Sequence, residues 1–177
     1  MSPADYIEEA HRTVPENRLH TSKVDLGTLR LRLKRFVESG ESLDELKKTL
    51  AYGKENPKLT PMWDHDESTI QLNHLHANVV HGIVGVATET SELVEALLEA
   101  MKTGKPIDEV NLKEEVGDCF WYLALIAKAC GFSFEEAMQT NADKLRARFP
   151  DKFTQDRALR RDINAERKIL EGNCTDG

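Results

Sequence analysis

An uninterrupted apolar run of nine residues, Cys119 to Ala127, follows directly on Glu115 and Asp118. No other stretch constrains the fold as tightly. A helix carrying that run has little polar surface, so it must be covered on most sides. Glu115 and Asp118 stand three apart and begin the same helical face that continues with Tyr122 and Leu125. Carboxylates at the mouth of a buried helix need partners, because burying an unpaired charge is costly. The run is too short to cross a bilayer, which takes roughly 20 apolar residues.

A second acidic pair, Glu89 and Glu92, has the same spacing. Residues three apart on a helix have Cβ atoms roughly 5–6 Å from each other. Two such pairs on facing helices would present four carboxylates to one point. Hard oxygen donors without His or Cys suit Mg²⁺ or Mn²⁺ rather than zinc. The bland alternative is a solvated face: Glu89, Glu92, Glu95 and Glu99 lie opposite Leu93, Val94, Leu97, Leu98 and Met101 on a helical wheel. A di-iron bundle needs Glu-x-x-His on two helices. Glu92 and Asp118 stand where those histidines would be.

The rest of the chain reads as helical. No apolar/polar alternation or hairpin signal marks a strand. Ser42-Leu-Asp-Glu45 and Ser133-Phe-Glu-Glu136 read as capping boxes. Gly131 reads as a helix stop. Residues 24–38 and 43–52 are expected as two short helices, and 54–67, with two prolines, as a loop. Longer helices are expected over 69–102, 108–130 and 133–147. The spans predict an N-terminal helical extension and loop (1–67), a helical core (68–150) and a charged tail (151–177) that suits either a surface helix or an oligomer arm. The core cannot bury all its apolar surface alone, so association with further copies is expected.

The 177 residues suit one ordinary globular domain. A net charge of −7 argues against nucleic acid as the main partner, though not against a small anion such as a nucleotide. Three cysteines without a CxxC pair argue against a disulfide framework or a thiolate zinc site. The acidic first residues do not read as a signal peptide, so the expected setting is cytoplasmic, away from membranes.

In the third core helix Asn141, Lys144 and Arg148 step by three and four and share a face. A solvated basic face is the alternative. ExxE (Glu89, Glu92), then ExxD (Glu115, Asp118) before an aromatic-rich helix, then NxxKLxxRFP (Asn141, Lys144, Arg148) form an ordered set. Across residues 75–150 this set resembles the MazG-like, all-α nucleoside triphosphate pyrophosphohydrolases.

The resemblance implies hydrolysis of a nucleoside triphosphate to the monophosphate and pyrophosphate, with Mg²⁺ (or Mn²⁺ in its place). It implies that Glu89, Glu92, Glu115 and Asp118 hold the metal and that a carboxylate activates the water, with Glu92, Glu95 and Glu115 as the candidates. It assigns Asn141, Lys144 and Arg148 to the nucleotide. Lys105 is a further phosphate candidate and His81 a candidate for the base pocket, with an ordinary loop lysine and a packing histidine as alternatives. Trp63, His74 and His76 are possible stacking residues for the base, with a lean to a purine; Trp121 and Tyr122 read as core. The family implies a homodimer or a dimer of dimers. Many members carry a further acid before the first motif, where this chain has Thr88. That difference leaves open a non-catalytic nucleotide sensor on the same scaffold. A plain helical oligomer with solvated acids is the more distant rival.

Overall fold

The helix boundaries follow from their caps. In the computed structural model, which describes residues 1–13, 23–54 and 74–172, Asp25, His76, Asp108 and Ser133 each accept a backbone N–H at the start of a helix. Gly53, Gly104 and Gly131 close the first three of those helices in the left-handed conformation. The order is α1 (Pro3–Arg12), α2 (Leu26–Tyr52), α3 (Ala77–Thr103), α4 (Glu109–Cys130), α5 (Phe134–Arg148), α6 (Gln155–Leu159) and α7 (Ile163–Leu170). The described residues contain no strand, and none of their helices is long and apolar enough to cross a membrane.

The expected starts of α4 and α5 coincide with the observed caps. The expected start of α3 at residue 69 is corrected: residues 74–76 are not helical, and α3 begins at Ala77 after its His76 cap. The 54–67 loop beyond Lys54, and with it Trp63, lies outside the described residues. The expectation of two helices over 24–38 and 43–52 is corrected. One helix of 27 residues, α2, runs through Gly40, and Ser42 caps nothing. Gly40 is there for space: a Cβ at this position would come within 1.9 Å of Ser91 Oγ on α3.

The chain divides into two compact units. Thr21–Gly131 holds α2, α3 and α4, with α3 packed between the other two. Its seams are lined by small residues. A Cβ at Gly82 would lie 2.6 Å from Ile126 Cγ1, and one at Gly85 2.1 Å from the Tyr122 ring. Glycine therefore lets α3 and α4 approach closely with Tyr122 buried between them.

The other unit comprises Met1–His20 and Phe132–Gly177, in which α5 packs against α1 and α7. Arg12 donates to the Phe149 carbonyl (2.7 Å), and Arg146 pairs with Glu9 (3.1 Å). Ala142 and Phe149 are its buried apolar residues.

The α4 run is not covered as the sequence predicted. Tyr122 and Ala127 are buried, but Phe120, Trp121 and Leu123 are exposed by 58%, 53% and 38%. The expectation of Trp121 as core is thus corrected for the single chain. Among the described residues α4 packs chiefly on α3, and Val116, Phe120 and Leu123, at i, i+4 and i+7, are exposed.

Gly85→Ala is expected to destabilise the protein by about 2 kcal/mol through overpacking, despite alanine's better helix propensity. A thermal melt beside the wild-type checks this; an unchanged or raised midpoint would contradict the tight seam.

Candidate metal centre

The α3–α4 seam sets two acidic helix faces against each other. Glu89 and Glu92 come from α3, one turn apart, and Glu115 comes from α4. One carboxylate oxygen from each lies within 4.8 Å of the other two. Glu89 and Glu115 are buried, at 7% and 5% exposure, and Glu92 faces outward. Asp118, one turn beyond Glu115, is exposed and stands outside this set of three.

The electrostatics record the crowding. Burial pushes the Glu115 carboxyl up to about 7, and the charges of Glu92, Glu89, Glu114 and Asp118 add to it. Glu92 is likewise raised, first by burial and then by Glu89 and Asp44. Three carboxylates this close in a partly dry setting repel one another. A divalent cation relieves that repulsion, and an all-oxygen donor set fits Mg²⁺ or Mn²⁺. The residues present therefore suit a hard metal ion.

One cation is already built in. Lys47, on α2, is buried at 5% exposure. Its Nζ donates to Thr88 Oγ1 (2.8 Å) and Glu89 Oε1 (3.1 Å), pairs with Asp44 Oδ1 (3.1 Å), and lies 4.9 Å from the centre of the Tyr122 ring. Neither Lys47 nor Asp44 was flagged from the sequence. Asp44-x-x-Lys47 is an ordinary surface-helix pair in appearance, and adjacent Lys48, which also pairs with Asp44, remains half exposed. Thr88 is buried as well. Its Oγ1 lies 2.8 Å from the Gly85 carbonyl, the usual bond of a helical threonine to the preceding turn.

The other expected site residues have the following surroundings. His81 is half-buried on α3, with its Nε2 3.3 Å from the Tyr52 hydroxyl and edge-on contacts to Tyr52, Trp121 and Tyr122. His76 caps α3, its Nδ1 accepting from the Asn78 N–H (3.2 Å), and His74 is exposed. Lys105 is exposed in the turn after α3. Asn141, Lys144 and Arg148 belong to the other unit. There Asn141 donates to the Tyr6 hydroxyl (2.6 Å), and Arg148 makes a two-pronged bond to buried Glu166 (2.7 and 2.5 Å). Arg148 and Arg161 together hold Glu166 down to about 2. Among the described residues no carboxylate pairs with Lys144.

Residues 82–153 match the MazG nucleotide pyrophosphohydrolase domain family. That stretch is a MazG nucleotide pyrophosphohydrolase domain. It contains all three clustered glutamates, Asp118 and the third-helix motif. Lys47 and the rest of α2 lie before it. No curated protein and no solved structure matches the chain.

The raised Glu115 group makes a signed prediction. It holds its proton more tightly folded (about 7) than at the ordinary value of 4.5. The metal-free fold therefore has this contribution below about 4.5 and loses it as pH rises through 7, on the order of 2 kcal/mol. Melts in EDTA between pH 5 and pH 8 should show a falling midpoint. Glu115→Gln should flatten the fall and melt higher than wild-type at pH 8. A Gln variant no more stable at pH 8 would contradict the crowded carboxylate.

Proposed function

We propose that the protein is a Mg²⁺-dependent nucleoside triphosphate pyrophosphohydrolase, releasing a nucleoside monophosphate and pyrophosphate. The observation that carries this reading is the convergence of Glu89, Glu92 and Glu115 inside the MazG domain. The alternative of a solvated acidic face fits poorly with two of the three being buried.

In this reading Glu89, Glu92 and Glu115 would hold the metal, with Asp118 as a fourth ligand. The metal, when bound, neutralises phosphate oxygens and the charge that develops on the leaving pyrophosphate. Glu115 or Glu92 would orient the attacking water and take its proton. The water oxygen bonds to phosphorus as the α–β anhydride breaks, and the electron pair leaves with pyrophosphate. Lys144, with no carboxylate partner among the described residues, is the third-helix residue we assign to phosphate. Asn141, Lys105 and His81 remain substrate contacts of this proposal. Arg148 takes that role only by giving up Glu166.

A cavity of about 280 Å³ opens beside Lys47, between α2 and α3, lined by Leu50, Ala51, Leu75, Asn78, His81 and Val84. Its size is near the lower bound of small-ligand sites, roughly 300 Å³. Apolar walls with one amide and one imidazole suit a nucleobase, and we assign the base to it with a lean to purines. The outward apolar stripe of α4 supports a homodimer or a dimer of dimers. The setting in this reading is the cytoplasm, and the role is control of a nucleotide pool.

Purified protein with Mg²⁺ should convert one or more common NTPs or dNTPs to monophosphate and pyrophosphate, resolved by anion exchange and abolished by EDTA. Glu115→Gln and Glu92→Gln should each lower turnover by about 100-fold or more. Diphosphate plus orthophosphate, or activity retained in EDTA, would contradict the proposal. Binding without turnover would favour the sensor on the same scaffold. For the assembly, Leu123→Glu should shift the mass measured by light scattering to that of a monomer; a monomeric wild-type would contradict it.

A further inference from the structure

Lys47 has no part in the reading above, and the MazG match begins 35 residues after it. Yet its ammonium is among the most enclosed charges in its unit. It lies in a frame made by three helices: Asp44 on its own α2, Thr88 and Glu89 on α3, and the Tyr122 ring on α4. Each Nζ contact is accounted for, and one of them is an oxygen of the acidic cluster itself. An ammonium is protonated at neutral pH as a rule, with an ordinary value near 10. The cluster therefore has a resident positive charge before any ion reaches it.

Stability alone is a weak reason for that arrangement. A buried ion pair is often no more stabilising than an apolar side chain of similar volume, and Lys47 also lines the adjoining cavity. Its distinctive effect is electrostatic. A positive charge 3.1 Å from Glu89 Oε1 lowers the pull of the cluster on a second cation, and in a setting of reduced dielectric this is felt strongly.

We propose that Lys47 is a tethered counter-ion that competes with the divalent metal for Glu89 and keeps affinity for the free ion low. The metal then enters most favourably together with a polyphosphate, whose negative charge offsets the lysine's. Lys47 lies between the cluster and the cavity, so an incoming phosphate gives its ammonium an alternative partner. Lys47 is thus a positioning residue that links metal loading to nucleotide binding. The inference rests on the proposed function only in needing the glutamates to take a divalent cation.

Calorimetric titration of the full chain with Mn²⁺ or Mg²⁺ alone, nucleotide absent, tests this. Lys47→Met is expected to bind the free ion about ten-fold or more tightly than wild-type. It should also melt lower in EDTA and gain more from added metal. Lys47→Gln retains a hydrogen-bond donor for Thr88 and Glu89 and should tighten binding in the same way, which keeps the test available if the Met variant does not fold. Lys47→Arg retains the charge, has the adjoining cavity to extend into, and should bind as wild-type does. Unchanged or weaker affinity in the folded neutral variants would overturn the inference while leaving the metal centre standing. Equal tightening in the Arg variant would also overturn it, since packing rather than charge would then be responsible. No metal binding by wild-type or any variant would overturn both the inference and the metal-dependent reading.

Discussion

Three carboxylates do not gather within 4.8 Å of one another by attraction. Something else must force them together, and here it is the glycine-lined seam between α3 and α4. Gly82 and Gly85 leave room for Ile126 and the Tyr122 ring, and that close packing sets the register in which Glu89 and Glu92 face Glu115. Hydrophobic and dispersion contacts along the seam oppose the electrostatic repulsion at its end. Gly40 against Ser91 repeats the device between α2 and α3 and brings Lys47 within bonding distance of Glu89. The acidic centre is therefore a strained product of well-packed helices, and a metal ion is the natural relief.

Much of this was legible in the sequence because the signals are local. Asp108 and Ser133 start their helices, Gly104 and Gly131 stop theirs, and each acts through bonds a few residues away. Acid spacing of three placed Glu89 beside Glu92 and marked Glu115 as an acid needing a partner. What was not legible depends on contacts between distant residues. Gly40 reads as a helix break, yet its role is to make room for a side chain 51 residues later. Lys47 and Lys48 are alike in sequence, and only the packing of α2 on α3 buries one and leaves the other in water. Arg148 read as a phosphate ligand, but its guanidinium meets Glu166, in a tail whose own pattern is only weakly amphipathic.

The burial of α4 could not be read from one chain's composition alone. Among the described residues its apolar run is only partly covered, and Trp121 and Leu123 are exposed. The exposed stripe is the surface that the proposed association of copies would cover. The acidic seam and this stripe are neighbouring faces of one helix, so the proposed assembly would clamp the helix that carries Glu115.

The central claim is that Glu89, Glu92 and Glu115 form a divalent-metal centre. Anomalous diffraction from crystals grown with Mn²⁺ and a non-hydrolysable nucleoside triphosphate analogue tests it most directly. The account predicts a strong Mn²⁺ peak bonded to carboxylate oxygens of these three residues, with analogue phosphate oxygens completing the coordination. Nucleotide bound with no such peak, or Mn²⁺ bound only elsewhere, would contradict it.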